Sequence, residues 1–440
     1  MQATVLDERF QTEFDAVCGQ GSQWLQNLRR TAAEHFSELG FPTTRQESWR
    51  FTNIKDITRL DLDGRVQARL FDPQQITQHL VENAIQLLFV NGVFQPEHSG
   101  TDDLPAGVTI APLHRALDEY EDLILDHLNQ AASYQGKPFS ALNAALLEHG
   151  ALVHIAKNTA LDRPIQLIYI NQAGEGEKTV MVNPRNLIVM EHHAEASLIE
   201  TCLSDGDGVV FTNGVTEAIL AEGARLSHSY QDYQNEHALH VRGIFAHLKR
   251  NAWLHSHNLL FGCKLIRNHI HVKLDGEGAE VEADGLYMGH GAQHHDNDIF
   301  IDHAKPHCNS KQFFKGILDD RSRAVFSGQV LVAKDAQKTD AQQSNKNLLL
   351  SDQARVDAKP QLEIYADDVK CAHGATTGHI DREAFFYLQT RGVNPDAARD
   401  LLVYAFAHEV IERLPVASIR HEAESFLYQR FDKARMIEET

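Results

Sequence analysis

The chain reads as mainly β: a solenoid of short stacked strands with helices at both ends. Three observations predict that class. Between 152 and 372 the segments are short, β-rich and broken by Gly, Asp and Asn. A pattern recurs there in one phase, as His193-Ala194-Glu195-Ala196, Gly223-Ala224-Arg225-Leu226, Asn251-Ala252-Trp253-Leu254 and Gly278-Ala279-Glu280-Val281. Its small residues fall at 194, 224, 252 and 279, in steps of 30, 28 and 27. A polar turn, a small residue, a polar residue and an apolar one at a near-fixed step describe the coils of a β-solenoid. Outside this stretch the apolar residues return to helical spacing. A large β-sandwich would also be β-rich, but parallel stacking accounts better for the step.

In order, residues 1–80 read as mostly helical. Trp24, Leu25, Leu28, Ala32, Phe36 and Leu39 keep to one face, and Gly40 with Pro42 ends the run. The loop 40–52 carries Trp49 and Phe51 as packing aromatics. The stretch 87–94 is a hairpin, because Asn91-Gly92 between apolar runs is the strongest short turn signal. Segments 113–128 and 141–147 are helical. Later members of the repeat are expected at Ser322-Arg323-Ala324, Ala354-Arg355-Val356 and Val369-Lys370-Cys371. After Gly378, Asp381 caps a helix to Arg391, and Gly392 ends it. Asn394-Pro395 is an N-cap with proline at the first helical position. Ala398, Leu401, Leu402, Ala405, Phe406 and Val410 then line one face, and Pro415 precedes a last helix with Ile419, Phe426 and Leu427. The expected regions are 1–150, mostly helical with a small hairpin; 151–380, the β-helix core; and 381–440, helical.

Composition excludes several classes. A net charge of −20 over 440 residues repels phosphates, so neither nucleic acid nor an anionic membrane is an expected partner. No apolar run approaches the roughly 20 residues that cross a bilayer. Residues 1–10 carry Asp7 and Glu8 and no apolar core of a secretory signal. The 5 cysteines are scattered without a C-x-x-C, which suits a reducing cytoplasm. There is no phosphate-binding G-x-x-x-x-G-K-[ST], no G-x-S-x-G and no H-E-x-x-H.

The chemistry-bearing stretch is 360–374. Leu362 and Ile364 alternate with polar residues as a strand, Asp367-Asp368 turns the chain, and Gly374 closes the segment. Val369, Cys371 and His373 then leave one face, roughly 7 Å apart. A thiol and an imidazole on one face can hold soft metal, iron or a sulfur species. Positive charge on His373 would lower the thiol pKa of Cys371. The bland alternative is a core cysteine, and Cys371 does fall at the apolar phase of the repeat. Most of the 26 histidines lie between Glu191 and His379. The H-x-H pairs His255/His257 and His269/His271 each share a strand face, but read mainly as polar coil positions satisfied by neighbouring coils. Asp302-His303 with His307-Cys308 is a further local convergence of carboxylate, imidazole and thiol.

The stretches 336–352 and 357–365, with Lys370-Cys371-Ala372-His373-Gly374-Ala375-Thr376, resemble the SufB/SufD family, the D branch best. Arg267-Asn268 with 272–278, the stretch 302–307 and the Val90-Asn91-Gly92 turn match as well. The resemblance implies a right-handed parallel β-helix flanked by helices. It implies a non-catalytic scaffold subunit of the SUF system, partnered by SufB and the ATPase SufC, or a homodimer in isolation. ATP hydrolysis would lie in SufC, docked on the C-terminal helices. Cys371 and His373 would sit at the SufB interface and hold iron or a nascent iron–sulfur cluster. The B branch has a cysteine on the preceding coil, where this chain has Asn345. A reduced flavin belongs, if anywhere, to the whole complex. The competing reading from another class is a β-helix polysaccharide lyase or hydrolase. It needs an aromatic-lined groove and usually secretion, which the leaderless N-terminus and scattered cysteines oppose.

Overall fold

The computed structural model describes residues 7–62, 71–101, 103–173 and 178–438. Helix α1 (Glu8–Val17) starts at Asp7, whose carboxylate accepts from the Arg9 N–H. Helix α2 (Gln23–Leu39) ends at Gly40, which takes φ +61°. These two bury Phe10, Phe14, Ala32 and Phe36 against Trp49 and Phe139. The 40–52 loop is therefore a packing element, as its aromatics predict. The 40–52 loop carries one 3-10 turn at Glu47–Trp49, and from 53 to 80 the mostly helical reading gives way, among the described residues, to short 3-10 turns at Ile57–Arg59 and Pro73–His79. Pro73 and the small apolar runs between polar clusters explain the difference. The expectation for 63–70 lies outside the described residues.

Strands β1 (Ile85–Val90) and β2 (Val93–Phe94) form the hairpin, pairing Phe89 with Phe94 around Asn91 (φ +47°) and Gly92 (φ +83°). Strand β3 (Val108–Pro112) follows. The expected helix at 113–128 is two, α3 (Leu113–Glu119) and α4 (Glu121–His127), broken at Tyr120; α5 spans Pro138–Ala145. The remaining strands are β4 (Ala151–Ile155), β5 (Ile165–Gln172), β6 (Val180–Val182), β7 (Arg185–Met190), β8 (Glu195–Asp205), β9 (Val210–Leu220), β10 (Arg225–Tyr233), β11 (Leu239–Leu248) and β12 (Trp253–Leu260). They continue as β13 (Leu265–Leu274), β14 (Glu280–Gly289), β15 (His294–His303), β16 (Asn309–Leu318), β17 (Arg323–Val332), β18 (Asp340–Leu349), β19 (Arg355–Ile364) and β20 (Lys370–Gly378). Helices α6 (Arg382–Thr390), α7 (Pro395–Ile411) and α8 (Ala417–Glu438) end the chain.

From β7 onward successive strands alternate between two facing sheets. One runs β2-β1-β5-β8-β10-β12-β14-β16-β18-β20 and the other β19-β17-β15-β13-β11-β9-β7-β4-β3. All pairings beyond the β1–β2 and β3–β4 contacts are parallel. This is the β-solenoid that the step predicts, and β1 and β3 already belong to its sheets.

The repeat has a backbone cause. His193, Gly223, Asn251, Gly278, His307 and Lys338 all take φ between +54° and +71°. Their N–H groups donate to the next coil, at Glu222, Arg250, Glu277, Pro306, Gln337 and Asp368. The residues that follow each turn inward at the corner, and Ala194, Ala224, Ala252, Ala279, Cys308 and Thr339 are buried. The true later members are therefore Cys308, Thr339 and Val369. Ser322 and Ala354 occupy the opposite corner, ahead of β17 and β19. Thiol and hydroxyl replaced the alanine that marks the pattern.

An apolar cluster runs along the lumen from Ile85 to Ala354, with buried polar side chains such as Glu200 and His228 among it. Outside, α2 and α5 with the 40–52 loop cover the second sheet around Phe211, Val241 and Leu265. Helices α7 and α8 cover the first sheet around Leu259, Phe261, Leu286, Met288 and Ile317. Burying such side chains stabilises by about 1.5–3 kcal/mol each, so the C-terminal helices are part of the fold. Helix α6 buries no residue.

Candidate metal centre at the open end

Strand β18 shows what a covered coil looks like: its inward positions Ala341, Gln343, Asn345 and Asn347 are all buried. Strand β20 stacks on it in register, with Cys371 over Ala341, His373 over Gln343, Ala375 over Asn345 and Thr377 over Asn347. Partners in a parallel ladder point to the same side, so these four also face the lumen. No described strand pairs with the far edge of β20. Cys371 is half-buried, and His373 and everything beyond it in the strand are exposed. The strand runs past the expected stop at Gly374 to Gly378, because 374–378 continue the ladder against Ser344–Leu348.

Cys371 tops a column of inward residues, Ala196, Leu226, Leu254, Val281, Ser310 and Ala341. It packs beside Val330, Val332 and Ala336. Below His373, the Gln343 amide donates to the Gln312 side-chain oxygen at 2.7 Å. Cys371, His373, Lys311, Lys370 and Arg413 border a cavity of ≈ 460 Å³. Burial pushes the Cys371 thiol above its ordinary pKa; a bond with the Ala341 backbone opposes this and the Asp340 charge adds to it. His373 does not figure among these causes, contrary to the sequence expectation. The thiol is protonated at neutral pH, so binding a soft metal there releases a proton. A thiol and an imidazole alone would make an incomplete ligand set for a metal.

The other sequence candidates separate. At the 302–308 stretch the side chains do not converge: Nε2 of His303 bonds Ser310 at 2.8 Å inside the lumen, while the Cys308 thiol donates to the Gly276 carbonyl at 3.2 Å. His307 stands exposed in the turn with φ +59°. The position compared with the B-branch cysteine is filled by Asn345, bonded to the Tyr287 hydroxyl at 3.0 Å and the Asn347 amide at 2.6 Å. The H-x-H pairs each meet a carboxylate that sequence reasoning missed. His269 and His271 reach Asp298 at 2.8 and 3.2 Å. His255 reaches Asp284 at 3.0 Å. The signal was present: both carboxylates lie one repeat step after a histidine.

The fold and this opening define a class: a parallel β-solenoid, flanked by helices, whose last coil presents a thiol and an imidazole from an unfinished interior. Comparison with known proteins gives the particular family. Residues 169–406 match the family model described as the SUF system FeS cluster assembly SufBD core domain, and residues 2–167 match the SufBD N-terminal region. An iron–sulfur cluster assembly SufBD family protein of Synechocystis is 32% identical over 95% of this chain and 94% of its own length. The iron–sulfur cluster assembly protein SufD of Escherichia coli is 32% identical over 96% and 95%. SufD of Bacillus subtilis is 26% identical over 92% and 94%. The chain belongs to the SufBD family of iron–sulfur cluster assembly proteins, with SufD proteins among its relatives. No helix among the described residues is long and apolar enough to cross a membrane.

Proposed function

We propose that this chain is the D-type scaffold subunit of a complex with SufB and the ATPase SufC, and that a second β-solenoid, SufB, closes the open coil. Cys371 and His373 then supply part of the ligand set for iron or a nascent cluster, which is cargo rather than a resident cofactor. The observation that carries the reading is β20, a strand with inward-patterned residues, a free edge and no cover. Exposed strand edges are templates for pairing, and proteins do not normally leave them long and flat. A second copy of the chain would fill the same edge when SufB is absent.

The docking of SufC rests on α6 and its neighbours. Phe386 and Tyr387 on α6, Leu401 on α7 and Tyr428 on α8 are large apolar side chains left exposed. Deleting the helices is not a clean test, because α7 and α8 cover the first sheet. Phe386→Asp with Tyr387→Asp is expected to abolish retention of SufC while SufB stays bound. Retention of SufC by that variant would place its docking elsewhere.

The edge itself is tested by proline. Lys370 donates its N–H back to Thr339 at 2.8 Å. Alternation along the ladder then turns the N–H of Ala375 to the free edge, where proline is tolerated. Ala375→Pro is expected to leave the melting temperature near that of the parent and to abolish co-purification of SufB. A variant that still retains SufB would overturn the edge-pairing part of the proposal.

A further inference from the structure

We propose that His255, His257 and Asp284, on the outer face of the first sheet, form a binding site for a first-row divalent cation such as ferrous iron or zinc. The site is separate from the open coil and does not rest on the assembly reading.

The three residues come from adjacent strands. His255 and His257 lie two apart on β12, and Asp284 lies beside His257 on β14. One ligand atom from each comes within 4.8 Å of the others. The observation that points to a ligand is His257. Its side chain is 1% exposed. Neither ring nitrogen has a hydrogen-bond partner among the described residues. The nearer oxygen of Asp284 is 3.8 Å from Nδ1. A buried imidazole with both nitrogens unmatched is costly, and a metal on one of them removes part of that cost. Burial, then the neighbouring His255, holds the His257 pKa well below its usual value.

The chain offers an internal contrast. Two other groups bring histidine, carboxylate or thiol together in the same way. In one, Asp298 already accepts from His269 and His271, and Arg267 lies 3.2 Å away. In the other, Asp232 accepts from the Tyr230 hydroxyl at 2.8 Å and from Gln234, beside His240. Arg267, Tyr230, Gln234 and His240 are themselves buried and cannot turn out to solvent. Asp284 meets His255 at 3.0 Å, and its cation is Arg413, 3.3 Å from Oδ1 and 3.5 Å from Oδ2, whose side chain is 42% exposed. Arg413 also lies over the Phe313 ring at 4.2 Å. It can turn out to solvent as a divalent ion enters. Two imidazoles and one carboxylate with an open position suit zinc, cobalt and ferrous iron rather than calcium or magnesium.

The test uses the untagged full-length chain and Co²⁺ as probe, read by equilibrium dialysis and visible absorption. One tightly bound equivalent with a low-coordinate cobalt spectrum is expected. His257→Ala removes a group without a partner, so its metal-free melting temperature should equal or exceed that of the parent. Its Co²⁺ affinity should fall about tenfold or more, a scale at which even groups behind metal ligands matter. His255→Ala, at a partly exposed position, should lose affinity equally and serves if His257→Ala does not fold. His269→Ala with His271→Ala, and Cys371→Ser, should keep the equivalent. No bound equivalent in the parent, or parental affinity in folded His257→Ala or His255→Ala, would overturn the proposal. So would loss of the equivalent in the His269/His271 variant alone.

Discussion

The body of the solenoid and its last coil follow one pattern and meet opposite fates. In β8 to β18 alternate residues turn inward and are buried. In β20 the same alternation continues through Cys371, His373, Ala375 and Thr377, and only the first is even half-buried. The difference lies in what is stacked above, not in the strand. Coil position, rather than residue type, decides whether a thiol here is sealed or accessible. Cys308 and Cys371 make the point. Cys308 is sealed and bonded to a carbonyl, whereas Cys371 has a neighbour beneath it and an opening above.

The contrast can be broken most strongly in the body. Arg185 and Glu217 are fully buried and paired at 2.6 Å. Asn129, Ala131 and Ala132 also donate backbone N–H groups to Glu217. Arg185→Ala leaves that carboxylate buried without its cation. It should cost about 3–5 kcal/mol in urea unfolding. A cost below 1 kcal/mol would mean the body is no tighter than the end.

A smaller effect comes from pH. Burial lowers His295 and His303 to about 4. Their unfolded-state value is near 6.5. The unfolded chain therefore binds more protons between these values, and each neutral imidazole stabilises fully above about 6.5. That contribution is lost as pH falls toward about 4, by up to ~1.4 kcal/mol per pH unit per group. Melting temperatures across this window should decline. A flat profile would contradict neutral burial of these rings. The smallest effect belongs to the last coil. His373→Ala touches an exposed side chain, so folding stability should change by no more than about 0.5 kcal/mol.

Much of this was legible in sequence. The Asn91-Gly92 hairpin, the Gly40 cap and the coil step each follow from local backbone chemistry. So did the inward phase of Cys371, because alternation needs only the neighbouring residues. What was not legible depends on stacking across a coil. Asp284 and Asp298 join their histidines only through register, 29 residues downstream in each case. The strand beyond Gly374 was hidden because a glycine and two threonines read as an ending without the ladder beside them. The buried polar lumen was hidden too. Glu200 sits there with His228 at 2.9 Å and Thr216 at 2.8 Å. Burial works to raise its pKa, but the His228 bond and the Arg242 charge hold it down to about 2. In the sequence it is simply one more acidic residue.

The measurement that bears most directly on the open coil is iron and sulfide content after reconstitution of the complex carrying Cys371→Ala or His373→Ala. Size-exclusion profiles and melts of the same samples establish that both complexes are assembled and folded. A ligand role predicts intact complexes with cluster content reduced in both, and most in Cys371→Ala. Parental iron and sulfide in both variants would contradict it and return Cys371 to the status of a packed residue at the end of a column.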